Sequence, residues 1–111
     1  MKVLLSKPMS PTCSLEIGLS TWDANEMSIR LRFDGDDGRF DPRSSSEIPM
    51  LSLVDIVTYA IKCHQVSTAD MAKIIEAAGA EVDWQLKNKD MSLDQVVAAV
   101  KQDESAALKG K

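Results

Sequence analysis

The sequence predicts an α+β fold, a small antiparallel β-meander of about three strands followed by three α-helices packed on one face. Three observations lead there. Residues 13–34 run twice through a strict alternation of apolar and polar side chains, the period of a half-buried strand. Beyond residue 48 the apolar residues recur at helical spacing instead. Two pairs spaced like capping boxes, Ser67 with Asp70 and Ser92 with Gln95, mark the starts of helices within that second half. The whole is expected to be a single domain over 1–111, with residues 1–12 as an irregular arm and 103–111 as a frayed tail.

Taken in order, Lys2 to Leu5 could be a short edge strand or part of the arm, and Pro8 and Pro11 make residues 6–12 irregular. In residues 13–21, Leu15, Ile17 and Leu19 alternate with Ser14, Glu16, Gly18 and Ser20. In residues 26–34, Met27, Ile29, Leu31 and Phe33 alternate with Ser28, Arg30, Arg32 and Asp34. Trp22 to Glu26 supplies a hairpin loop. A symmetric loop places Leu19 opposite Ile29, Ile17 opposite Leu31, Leu15 opposite Phe33, and Glu16 opposite Arg32 as a favourable cross-strand pair.

A near-palindrome follows, Arg32-Phe33-Asp34, Gly35-Asp36-Asp37-Gly38, Arg39-Phe40-Asp41. Folded about its centre it forms a second hairpin, because Gly tolerates positive φ and Asp bonds its neighbouring backbone. Asp34 then meets Arg39, Phe33 meets Phe40, and Arg32 meets Asp41, with Pro42 ending the third strand. Residues 43–47 read as a polar linker.

The first helix should start near Pro49, a residue suited to a first helical turn, and run to about His64. Met50, Leu53, Val54, Val57 and Ile61 share one face, while Leu51, Ile56, Tyr59, Ala60 and Cys63 cover most of the rest. A helix apolar on nearly all sides is normally buried, against its own sheet and helices or against another subunit. The second helix carries Met71, Ile74, Ile75 and Ala78 and should stop at Gly79, a natural C′ residue. Residues 80–91 then form a connector, in which the alternation of Val82, Trp84 and Leu86 allows a short strand. The last helix has a single apolar stripe of Leu93, Val96, Val97 and Val100.

Composition bounds the function. A chain of 111 residues can bury about two thirds of its unfolded surface and fold without staples. Its formal charge of −4 and pI near 4.9 argue against a general nucleic-acid binder, which carries a basic face. Cys13 and Cys63 are too few and too far apart for a disulfide framework or a metal site. The apolar run at residues 2–5 is too short for a secretion signal, and nothing approaches the length of a membrane span, so a cytoplasmic location is expected.

The residues with chemistry on offer are few. All four arginines, Arg30, Arg32, Arg39 and Arg43, fall in one short window. Arginine suits bidentate contact with carboxylate or phosphate, which makes this a candidate partner- or anion-binding face. Glu16, Asp34 and Asp41 are placed to neutralise the same arginines across strands. Asp34, Asp36, Asp37 and Asp41 are oxygen ligands by type, but Arg39 and Ser45 stand where an EF-hand loop needs Gly and Glu, so the segment reads as a turn. His64 is the single histidine, and its neighbour Cys63 points elsewhere on a helix. A helix-turn-helix start at Ser67 lacks a convincing recognition helix. Trp22, on a loop, is of the residue type enriched at interfaces.

No catalytic residue, metal ligand or cofactor is expected. The function read from the sequence is therefore a small non-enzymatic interaction module. It is expected to form a homo-oligomer and to bind a protein partner through the Arg/Asp-rich sheet face, with Arg30, Arg32, Arg39, Arg43 and Trp22 as its residues. The alternatives are an accessory protein contacting anions or nucleic acid, a small enzyme or ligand carrier built near His64 and Tyr59, and an inhibitor of a host complex encoded by a phage or mobile element.

Overall fold

A computed structural model describes residues 1–109 of the chain. It is an α+β fold, a four-stranded antiparallel sheet followed by three helices. The strands are β1 (Lys2–Ser10), β2 (Cys13–Leu19), β3 (Met27–Phe33) and β4 (Glu47–Pro49), in sequential order across the sheet. A short 3-10 turn, Met50–Ser52, leads into α1 (Leu53–Lys62); α2 (Thr68–Lys87) and α3 (Leu93–Lys109) follow. The chain divides into two compact units, Met1–Ile56 and Val57–Lys111, with the division falling inside α1.

In the first unit β2 and β3 form as the alternation predicts, but two residues out of the expected register. Leu19 pairs with Met27, Ile17 with Ile29, Leu15 with Leu31 and Glu16 with Arg30. The loop explains the shift. The Ser20 N–H donates to the Glu26 carbonyl, and Asp23 gathers the turn by accepting from the backbone N–H of Asn25 (2.8 Å) and of Glu26 (3.1 Å). Because side chains repeat every two residues, a slip of two changes every partner and leaves every face unchanged.

The edge strand allowed at Lys2 to Leu5 forms as β1 and runs on to Ser10, through residues expected to be irregular. Pro8 is tolerated there because an edge strand has one side without a neighbour to receive its missing N–H. A register irregularity between Val3 and Leu5 breaks the alternation, which hides the strand from a period-two reading. Gly18 is required opposite it, since a Cβ at that position would collide with the Lys2 carbonyl.

The second hairpin also differs from its expected form. The Gly35 N–H bonds the Arg39 carbonyl, Asp34 bridges Phe40, and the Asp41 N–H bonds the Phe33 carbonyl. The loop is thus the three residues 36–38, closed by Gly38 at φ 77°, the conformation a three-residue hairpin loop asks of its last residue. The paired arm is a single bridge, not a third strand. The fourth position in the sheet is taken by Glu47–Pro49, expected to be the end of a linker and the start of a helix; Ile48 pairs with Ile29 and Glu47 with Arg30.

In the second unit α1 ends in two reversed hydrogen bonds, from the Gln65 N–H to the Ala60 carbonyl and from the His64 N–H to the Ile61 carbonyl, with His64 at φ 61°. That is a Schellman ending with histidine where glycine is favoured. Both capping serines act as expected. Ser67 Oγ accepts from the Asp70 N–H at 3.1 Å. Ser92 and Gln95 exchange both bonds, at 2.8 and 3.3 Å. Helix α2 does not stop at Gly79 but continues through it to Lys87, taking in most of the expected connector and excluding the short strand there. One glycine costs a helix interior only about 1 kcal/mol, and its neighbours here, several alanines with Glu76, Glu81 and Leu86, are among the strongest helix formers. Helix α3 likewise runs to Lys109, past the expected fraying point at 103; residues 110 and 111 lie outside the described residues.

Among the described residues no apolar side chain is buried, and the buried polar ones are Glu16, Ser20, Ser28 and Ser45. No described helix is long and apolar enough to cross a membrane.

Candidate functional site

The pleat of the sheet sorts its residues into rows. Leu5, Ile17, Ile29 and Ile48 make one row across all four strands, and Ser6, Glu16, Arg30 and Glu47 make the adjacent row on the opposite face. The polar face is the better covered. Glu16 is 4% exposed and Ser28 fully buried, whereas Ile48, Leu31 and Phe33 on the apolar face are exposed.

The cover comes from residues 34–46. The one-residue difference in the second hairpin turns Phe40 onto the polar face, where it lies under two guanidinium groups, 4.7 Å from Arg30 and 5.1 Å from Arg32. Both distances are within cation–π range. Arg30 also donates through Nε (3.0 Å) and Nη2 (2.6 Å) to Oε1 of Glu16. With both side chains nearly buried, this pair is an internal strut. Arg32 bonds Asp34, two residues along the same face, at 3.1 Å, and is half exposed. Ser45 anchors the segment by accepting from the Phe33 N–H at 2.9 Å and donating to the Asp41 carbonyl at 2.7 Å.

A second polar knot closes the other end of the sheet. The Glu47 carboxylate accepts from the Thr21 N–H and Oγ1–H and from Ser28 Oγ–H, while Thr21 Oγ1 accepts from the N-terminal ammonium at 2.6 Å. Burial pushes the Glu47 carboxyl upward, but the Thr21 and Ser28 hydrogen bonds together with the ammonium charge outweigh it and hold the group below its ordinary value. Sequence reasoning missed Glu47, because its partners lie 19 and 26 residues away and no local pattern joins them.

The five expected site residues therefore separate. Arg30 is committed to Glu16 and Phe40, and Arg32 is partly committed to Asp34 and Phe40. Arg39 is 88% exposed, with only a 4.0 Å approach to Asp37. Arg43 is exposed on the same covering segment, its backbone N–H bonded to Asp41. Trp22 is half exposed and donates its indole N–H to Glu26 at 2.8 Å, which holds the ring in place on its loop. The expected pairings of Asp34 with Arg39, Phe33 with Phe40 and Arg32 with Asp41 do not form; the signal for the true arrangement was Gly38, which a three-residue loop places in the left-handed conformation.

The groups considered for other chemistry stay apart. His64 and Cys63 are exposed at the end of α1, and Tyr59 is 71% exposed. Among the described residues no group of three His, Cys, Asp or Glu side chains could hold a metal ion.

Within the second unit, α2 and α3 border an open cleft of about 380 Å³ lined by apolar side chains such as Trp84, Val96 and Val100 and by the carboxylates of Glu81 and Asp103. Elsewhere in this unit Ile75, Val82 and Leu86 are each more than half exposed, as are Leu51, in the 3-10 turn, and Val54 in the first unit. Comparison with protein-family models, with curated proteins and with solved structures gives no match to this chain.

Proposed function

We propose that the chain is a non-enzymatic protein-interaction module that self-associates through its helices and binds a protein partner at the rim of the charged sheet face. The exposure of its large apolar side chains carries this reading. Leu51 at 85%, Ile75 at 72% and Tyr59 at 71% are the surface of a chain whose apolar burial is completed by another chain. A chain with 44% apolar residues gains most of its folding free energy by removing them from water, and here no described apolar residue reaches that state alone.

The proposed partner-binding residues are Arg39 and Arg43 on the covering segment, with Arg30 and Arg32 on the sheet face it covers, and Trp22 on the β2–β3 loop at the opposite end of β3. Exposed guanidinium groups suit a protein surface bearing carboxylates, and a half-exposed tryptophan held by Glu26 suits an apolar contact. The test of self-association is the solution mass, by light scattering coupled to size exclusion over a tenfold concentration range. A dimer or larger species is expected; a strict monomer throughout contradicts the reading.

A further inference from the structure

The cleft between α2 and α3 is built by matched spacing on the two helices. Ala77, Glu81 and Trp84 on α2 stand four and then three residues apart, and so do Val96, Val100 and Asp103 on α3. Residues at that spacing share one face of a helix, so each helix gives one face to the cleft. The small side chains on the lining leave the space open, and Trp84, Val96 and Val100 form its apolar walls. At about 380 Å³ it falls within the range that takes a small molecule. All of it lies within the second unit.

Its charge has one sign. Among the described residues lining this cleft the charged ones are Glu81 and Asp103, both exposed. Neither carboxylate has a hydrogen-bond or ion-pair partner among the described residues, whereas Asp83, also on α2, is paired with Lys87 at 3.0 Å. The adjoining stretch of the groove shares Glu81, Trp84 and Val96 and brings in Lys89. The uncompensated negative charge therefore lies toward Asp103.

We propose that this cleft binds a small organic cation, an alkyl- or arylammonium. Its charged head faces Glu81 and Asp103, and its apolar body lies against Trp84, Val96 and Val100. Charge complementarity selects this occupant. An exposed carboxylate alone holds a cation weakly in water. The indole face adds attraction for the same charge, and quaternary ammonium groups are the ligands that such aromatic faces recognise best. The valine walls gain by covering the apolar body. An anion of the same shape meets two unpaired carboxylates instead. The site does not depend on self-association.

The test uses the full chain, with benzyltrimethylammonium as the probe. Phenylacetate, an aromatic ligand of opposite charge, is the control. Equilibrium dialysis reads the affinity, and amide shifts of isotope-labelled protein read the place. Saturable binding of the cation is expected, with shifts centred on Trp84 and Val100, and phenylacetate should bind at least about tenfold more weakly. Glu81→Gln combined with Asp103→Asn removes both charges and keeps the side-chain shapes. It should weaken the cation about tenfold at unchanged helix ellipticity. Trp84→Leu keeps an apolar wall without the indole face and should weaken it several-fold. Absence of saturable binding, the result if the chain's own sheet unit or a second copy fills the cleft, overturns the site. So does phenylacetate binding as tightly as the cation, a double variant of unchanged affinity, or shifts that fall away from the cleft.

Discussion

The two units satisfy their side chains in opposite ways. The sheet unit closes its polar face, with Glu16, Arg30, Phe40, Ser28 and Glu47 held by short hydrogen bonds and a stacked ring. The helical unit has good local chemistry, two capped helix starts and a Schellman ending, yet leaves Ile75, Val82 and Leu86 in water. Local hydrogen bonding can define where a helix starts and stops, but most helix stability in proteins comes from burying an apolar face. The polar face of the sheet unit is specified from within, while its apolar side chains Leu31, Phe33 and Leu51 stay exposed, and the helical unit is specified only as far as its ends.

Four substitutions and one titration press on this contrast. Removing Glu16 should cost most. Glu16→Ala strands the nearly buried Arg30 guanidinium without its carboxylate, for an expected loss of about 3–5 kcal/mol in urea unfolding. Gly18→Ala comes next, at about 3 kcal/mol, because the new methyl must displace the Lys2 carbonyl and with it the edge strand. Loss of β1 alone would show as early amide exchange at residues 2–10 with β2–β3 still protected.

In the helical unit Ser67→Ala should cost about 1 kcal/mol through the lost cap. His64→Gly should return about 0.5–1 kcal/mol by relieving the left-handed conformation. Both are read from thermal melts.

Acid acts on the sheet unit through Glu47. Its carboxyl is lowered in the folded state, so it contributes stability that is present above the ordinary carboxylate pKa and lost as the pH falls through the folded value. Glu47→Gln should flatten that acid limb, with the stability of the variant changing less than wild type between neutral pH and pH 3.

Features set by neighbours in sequence were legible. Strands β2 and β3, both capping serines and the α+β order follow from alternation and from spacings of three, because those arrangements are made within a few residues. What was hidden depended on a single inserted residue or on distance. Gly38 adds one residue to the second hairpin, and that moved Phe40 from the apolar row to the face of Arg30 and Arg32. Gly79 carries the signature of a helix end and sits inside a helix whose neighbours outweigh it. Strand β4 is three residues long and pairs with β3 from 19 residues away, so no local period announces it. Of the arginine site, the grouping was legible. The division into committed Arg30 and exposed Arg39 was not, since it follows from where Phe40 points.

The most direct measurement of the central claim, that the helical unit completes its apolar burial in a second copy, is the melting temperature as a function of protein concentration. Helix ellipticity would be followed from low micromolar to several hundred micromolar. Folding coupled to assembly makes Tm rise with concentration, and that rise is the result expected here. A Tm unchanged across the range would contradict it.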